Sequence, residues 1–219
     1  GSVLGILGPN GAGKTTLVDI LCTLLPPDTG TAVIDGHDVV DDGPGVRAAI
    51  SMTGQYAALD ETLNGRDNLI FFARMQGLRR RAATARADEL LHRFDLAYAA
   101  KRPVYAYSGG MRRRLDIACG LVVEPAVVFL DEPTTGLDPR SRQEVWDLVE
   151  VLKADGITTL LTTQYLEEAD RLSDNIIVLD RGRVVAEGTA TELKDRVGGV
   201  SCAAVLADPG LAAAMGAAG

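Results

Sequence analysis

The apolar run Val3-Leu4-Gly5-Ile6-Leu7 has the length and continuity of a buried strand. A glycine-rich turn over residues 8–13 follows it. Leu17, Ile20, Leu21 and Leu24 then recur at i, i+3, i+4 and i+7, which predicts a helix packed by one face. Pro26-Pro27-Asp28-Thr29-Gly30 halts that helix, and Thr31–Ile34, the Asp35-Gly36 turn and the segment around Val39-Val40 read as a small hairpin. From about Tyr56 to Pro125 the period becomes helical, with Ala87, Leu90, Leu91 and Phe94 on one face and Leu115, Ala118, Cys119 and Val122 on another. Ala126–Leu130 is almost wholly apolar and reads as a central parallel strand buried on both sides. A helix carrying Val145, Leu148, Val149 and Leu152 comes next, followed by a strand over Ile157–Thr163, a short acidic helix, and strands around Ile176–Leu179 and Val184–Ala186. Such alternation predicts a parallel α/β sheet with right-handed crossovers, interrupted by an inserted helical subdomain. The Ala/Gly-rich tail from Gly198 is weakly patterned and reads as a partly ordered end or the start of something further on.

Composition narrows this picture. At 219 residues, 47% hydrophobic and 24% charged, the chain suits one domain and excludes a disordered or disulfide-stapled chain. A net charge of -8 argues against a nucleic-acid partner recruited by overall charge. Charge, Gly or Pro breaks every apolar stretch short of the ~18 residues of a membrane span, and the abrupt strand at the start does not resemble a signal peptide. Cys22, Cys119 and Cys202 are odd in number and lack metal-ligand spacing, so reduced thiols in a cytosolic protein are expected. His37 is expected to be a solvated turn residue without partners. His92 and the Arg79-Arg80-Arg81 cluster are expected to be solvated and without chemistry.

The candidate chemistry begins at Gly8-Pro9-Asn10-Gly11-Ala12-Gly13-Lys14-Thr15, followed by Thr16, which fits G-x-x-x-x-G-K-S/T between a strand and a helix. Glycines let successive backbone N–H groups turn inward at a helix N-terminus, where the dipole also favours phosphate. Lys14 is expected to reach the β- and γ-phosphates of ATP, and the Thr15 hydroxyl to ligate Mg2+. Asp131 and Glu132 end the buried strand, where open α/β sheets place their ligands. Asp131 suits the carboxylate that holds Mg2+, and Glu132 the base that positions the attacking water. Tyr107-Ser108-Gly109-Gly110-Met111 precedes an amphipathic helix; taken alone it is a turn and N-cap.

In this order the motifs resemble the nucleotide-binding domain of an ABC transporter, over about residues 3–190. The fold implied is a P-loop NTPase, a RecA-like parallel sheet core with an inserted helical subdomain. Residues 1–219 then form a single such domain, with core 1–55 and 125–197, helical subdomain 56–124 and tail 198–219. The resemblance implies that Gln55 senses Mg2+ and the attacking water and faces the membrane partner. It implies that Asp138, in Gly136-Leu137-Asp138, contacts the opposite subunit, and that Ser108, Gly109 and Gly110 bind the γ-phosphate of ATP held by the other protomer. Function then requires a homodimer with two ATP molecules sandwiched head to tail, and a separate integral-membrane permease that keeps the chain at the cytoplasmic face of the plasma membrane. The runs Ser51–Tyr56, Asn64–Leu69 and Thr163–Asp170 look most like the daunorubicin/doxorubicin-resistance type of bacterial exporter ATPase. That type implies efflux of a drug, antibiotic or lipid-like cargo.

Three departures from the family pattern stand out. Tyr107 and Met111 replace the usual leucine and glutamine of the signature, with an expected effect on helix packing. Gln164 replaces the switch histidine; it can donate a hydrogen bond but cannot become cationic, so slow basal turnover is expected. The N-terminal β-subdomain strands and the adenine-stacking aromatic residue are expected to lie upstream of this chain, leaving weaker nucleotide binding and an exposed edge. Two other readings use the same motifs: a soluble ABC-type ATPase of translation or DNA repair, and a nucleotide-binding fragment with little activity.

Overall fold

A computed structural model describes residues 1–54 and 58–197. Gln55, the tail 198–219 and Cys202 within it lie outside the described residues. The strands are β1 (Val3–Leu7), β2 (Val33–Ile34), β3 (His37–Asp38), β4 (Ile50–Thr53), β5 (Val127–Asp131), β6 (Thr158–Thr163), β7 (Asn175–Asp180) and β8 (Arg183–Gly188). The helices are α1 (Lys14–Leu21), α2 (Gly43–Ala49), α3 (Gly65–Met75), α4 (Arg80–Arg93), α5 (Gly109–Gly120), α6 (Pro139–Ala154), α7 (Leu166–Leu172) and α8 (Ala190–Val197).

A six-stranded sheet runs in the order β4-β5-β6-β1-β7-β8. It is parallel from β4 to β7, and β8 pairs antiparallel with β7. Alternation along the central strands divides the core between the two faces. Val128 and Leu130 of β5 and Leu161 of β6 join a cluster with α3, α4, α5 and α6, including Leu69, Leu90, Leu115, Val145 and Leu152. Phe129 and Leu160 point the other way, to Ile6, Val18, Cys22 and Val46. Each face is thus covered by helices, and near-continuous apolar strands are what a doubly covered parallel sheet requires. Helices α3, α4 and α5 all lie in the stretch of chain between β4 and β5, which are themselves neighbours in the sheet.

Some sequence expectations need correction. The edge strand β8 is not parallel, because Arg181 and Gly182 both take positive φ (47° and 73°), a tight turn between Asp180 and Arg183 that returns the chain antiparallel. Helix α1 buries Val18 rather than a face extending to Leu24: it ends at Leu21, Cys22 caps it, and Leu24 is exposed. His37 is not without partners, since its Nδ1 lies 2.6 Å from the Asp42 carboxylate. Asp42 also caps α2, accepting the Gly45 N–H at 3.0 Å, so the run after Val40 starts a helix at Asp42-Gly43-Pro44. The hairpin is shorter than the run Thr31–Val40, and β4 was not anticipated.

Candidate functional site

The loop between β1 and α1 is shaped by its backbone. Gly11 and Gly13 take φ of +77° and +102°, a region that residues with a Cβ occupy only under strain. A Cβ on Gly8 would sit 2.3 Å from the Leu179 carbonyl, so the loop passes under β7 only as glycine. The Gly182 N–H of the β7–β8 turn donates to the Ala12 carbonyl at 2.8 Å and buttresses the loop. Gly13 caps α1 without a side chain, so no side-chain oxygen takes up the N–H groups of the first helical turn, which is the arrangement that suits an anion.

Lys14 is buried. Its ammonium donates to the Gly8 and Pro9 carbonyls at 2.8 and 3.1 Å and lies 3.0 Å from Glu132 Oε1. The Thr15 hydroxyl donates to Asp131 Oδ2 at 2.9 Å, and the Thr162 hydroxyl donates to Asp131 Oδ1 at 2.5 Å. The two adjacent acids diverge because Asp131 ends β5 in extended form whereas Glu132 takes a left-handed φ of 47°. That conformation costs about 1–2 kcal/mol for a residue with a Cβ. It is held by the Glu132 N–H, which reaches the Thr162 carbonyl (3.2 Å) and hydroxyl (3.0 Å), and by Thr135, whose hydroxyl donates to Glu132 Oε2 at 3.1 Å. Strain of this kind gathers where a side chain must be aimed. Thr162 therefore orients both acids, although the sequence reading gave it no role. The available signal was the threonine content of a buried strand, in which Leu160 and Leu161 are flanked by Thr158-Thr159 and Thr162-Thr163.

Gln164 follows β6 directly and is half-buried. The Thr163 carbonyl accepts the Gly8 N–H at 3.1 Å, so Gln164 begins beside the start of the loop. The loop residues Gly8–Thr16, Asp131, Glu132 and Gln164 thus converge at the C-terminal ends of β1, β5 and β6.

Ser108, Gly109, Gly110 and Asp138 form a second cluster. Ser108 caps α5, its Oγ accepting the Met111 N–H at 3.2 Å. Asp138 caps α6, accepting the Arg140 and Ser141 N–H groups at 3.1 Å and the Ser141 hydroxyl at 2.6 Å. A Cβ on Gly110 would lie 2.5 Å from Ser141 Oγ, so the two helix N-termini touch through a glycine. Ser108, Gly109 and Asp138 are exposed. The chain from Glu132 to Asp138 links this cluster to the first. Tyr107 is buried, and its hydroxyl donates to the Ala99 carbonyl at 2.8 Å. That bond anchors the turn before α5.

Arg113 and Asp116 of α5, like Arg114 beside Arg113, are charged side chains buried on that helix, which the sequence reading did not single out. Burial pushes the Asp116 carboxyl up to about 6, against the opposing pull of Arg113. Burial likewise lowers the Arg113 guanidinium, countered by Asp116, Asp131 and Glu168. Asp116 lines a cleft of about 210 Å³ bounded by β4, α2, α3 and α5, together with Arg47, Met52, Ala58, Phe72 and Gln76.

The donor set fits a nucleotide with a hard divalent cation. It combines N–H groups at an uncapped helix N-terminus, one ammonium, a hydroxyl and carboxylate oxygens. The ABC transporter family model matches residues 1–135. The chain is 62% identical over 208 residues to the doxorubicin resistance ATP-binding protein DrrA of Mycobacterium tuberculosis, covering 95% of this chain and 63% of that protein. It therefore spans a little under two thirds of the length of such curated relatives. Among solved structures, cbiO1 of Clostridium perfringens, part of the cbiONQ transporter complex, superimposes with TM-score 0.81 at 32% identity, covering 90% of this chain and 80% of that one. A dimeric ATP-binding cassette, MJ0796, bound to ADP and phosphate after hydrolysis, superimposes with TM-score 0.75 at 26% identity, covering 86% and 85%.

Proposed function

Because the chain belongs to the ABC transporter family, we propose that it is the ATP-binding and ATP-hydrolysing part of an exporter that drives efflux of a drug, antibiotic or lipid-like cargo through a separate membrane subunit. The observation that carries this reading is the pairing, at the sheet's C-terminal end, of Thr15 with Asp131 and of Lys14 with Glu132 at hydrogen-bond distance. The export direction and cargo class rest on the likeness to the doxorubicin-resistance protein.

In this reading the N–H groups of Gly11–Thr16 and the Lys14 ammonium hold the ATP phosphates, and Pro9, Asn10 and the glycines shape the loop. Thr15 and Asp131, with Gln55, would hold Mg2+, which would supply positive charge against the phosphates. Glu132 orients the water for in-line attack and takes up its proton. Its left-handed backbone and the Thr135 contact hold the carboxylate beside Lys14. Gln164 donates to the transferring phosphoryl group without adding charge. Ser108, Gly109 and Gly110 present a capped helix N-terminus, exposed at Ser108 and Gly109, suited to a second phosphate face, that of ATP on the partner protomer. The head-to-tail dimer, with Asp138 at its seam, follows from placing these two clusters on different nucleotides.

We assign the core to 1–55 and 125–197 and the helical subdomain to 56–124. Docking of the membrane subunit at the cleft lined by Met52 and Ala58 would keep the protein at the cytoplasmic face of the membrane. No helix among the described residues is long and apolar enough to cross a membrane itself.

Phosphate release by the complete protein, co-purified with its membrane subunit, tests the proposal. Glu132→Gln is expected to lower turnover at least about 100-fold while ATP binding persists. Turnover at the wild-type rate in that variant would remove Glu132 from its role.

A further inference from the structure

Gln164 is held between two anchored neighbours. On one side Thr163 ends β6, its carbonyl accepting the Gly8 N–H at 3.1 Å. On the other, the Tyr165 N–H donates to the Thr163 hydroxyl at 3.0 Å, which closes a tight turn around Gln164. The Tyr165 carbonyl accepts the Ala169 N–H at 3.2 Å, so the same residue opens α7. Its ring also faces a cation. The Arg142 guanidinium of α6 lies 4.9 Å from the ring centroid, within the range of a cation–π contact.

This stack is not what docks α7 on α6. Arg171 of α7 lies over the Trp146 ring of α6 at 5.1 Å and donates to the Gln143 side-chain carbonyl at 2.7 Å, while the Glu168 carboxylate accepts the Trp146 N–H at 2.9 Å. With those fasteners in place, Arg142 adds a contact at the end of α7 that adjoins Gln164. Its Nε is buried with no hydrogen-bond partner among the described residues. Leaving a buried donor dry is unfavourable, so the guanidinium is placed for the ring at the expense of its own hydrogen bonding.

The chemistry of Gln164 gives such a buttress a consequence. A neutral amide donor works only when it is aimed, since a hydrogen bond weakens steeply as its angle closes, whereas a full charge acts over a wider range of orientations. We propose that Tyr165, held by Arg142, is a positioning residue for Gln164: the stacked ring fixes the turn from which the amide is presented to the transferring phosphoryl group. Its effect on rate rests on the ATPase reading, whereas the turn and the stack stand apart from it.

Phosphate release by the complete protein with its membrane subunit tests this, together with hydrogen exchange of the backbone amide at position 165. Tyr165→Leu and Arg142→Met are expected to lower kcat about 5-fold with the KM for ATP within about 2-fold, because the stack is lost and the phosphate loop is untouched. Tyr165→Phe keeps the ring face and should hold kcat within about 2-fold of wild type. Adding Tyr165→Leu to Gln164→Ala should cause no further loss, because both act through one amide. In Arg142→Met the amide at position 165 should exchange at least about 5-fold faster. An unchanged kcat in Tyr165→Leu, a loss in Tyr165→Phe as large as that in Tyr165→Leu, or losses that multiply with Gln164→Ala would each overturn the proposal. Should Tyr165→Leu fail to fold, Arg142→Met, which leaves the other fasteners of α7 intact, decides on the same readings. A wild type that does not hydrolyse ATP, with the amide at position 165 still freed in Arg142→Met, would overturn the functional proposal and support the buttress. An amide no faster there would overturn the buttress.

Discussion

Gln164 owes its position to the strand ahead of it. It follows Thr163, whose carbonyl is hydrogen-bonded to Gly8, so its place beside the phosphate loop is fixed by strand pairing and not by its own chemistry. A histidine there would have the same backbone and could also carry a positive charge toward the developing negative charge of the transition state. Gln164→His is therefore expected to raise the phosphate-release rate of the assembled complex roughly 10-fold with little change in thermal stability. An unchanged rate would remove the argument that this residue limits turnover. Glu168 illustrates the opposite case, a buried carboxylate with a structural task. Its Oε1 accepts both the Thr134 hydroxyl (2.8 Å) and the Trp146 indole N–H (2.9 Å), joining α7 to α6 and to the turn after Glu132. The acidic character of α7 was legible, but that one of its acids faces inward was not, because only the packing of α6 decides it.

Among the elements, α6 begins where two roles meet. Asp138 caps it through both carboxylate oxygens and is also the residue assigned to the seam between protomers. Asp138→Ala should lower the unfolding free energy by about 1 kcal/mol through loss of the cap. Asp138→Asn, which keeps an acceptor for the Ser141 N–H, should remain near wild type in denaturant titrations. An equal loss for both would mean that charge at the helix N-terminus matters more than the capping bond. Helices with long apolar periods, α4 and α6, were readable, since their buried residues Ala87, Leu90, Leu91, Val145, Leu148, Val149 and Leu152 follow one stripe. Short elements were harder. Helix α2 has only Val46 buried, and β4 has Ser51 and Thr53 as its buried residues, so neither shows the apolar periodicity that marks an element.

For the molecule as a whole, the question is which copy completes which site. Lys14 lies in the cluster at the ends of β1, β5 and β6, whereas Ser108 lies where α5 meets α6. If an ATP site needs Lys14 from one protomer and Ser108 from the other, two inactive variants can complement each other. Mixed Lys14→Ala and Ser108→Arg chains, unfolded and refolded together or co-expressed, should recover hydrolysis. Each heterodimer would hold one site with both residues intact and one with both altered. Recovery is the expected outcome, and mixtures as inactive as either parent would place both residues on one nucleotide.

The sequence by itself determined the three-way grammar of the chain: a phosphate loop between a strand and a helix, an acidic pair at the end of an apolar strand, and a serine-capped helix between them. Each is written locally, in glycine spacing, apolar period or capping chemistry, and each survives in the structure as an element with those bounds or nearly so. Tertiary structure decided the rest, because it depends on partners far apart in the chain. Thr162 meets Asp131 only through the register of β5 with β6. Glu132 reaches Lys14 only because a single strand, β6, separates β1 from β5 and the backbone turns left-handed after β5. Arg113 finds Gly54 and Asp131 only when α5 packs beside the ends of β4 and β5. Local pattern can name a charged residue on a buried helix, but which backbone groups it holds is set by the strand order that brings them to it.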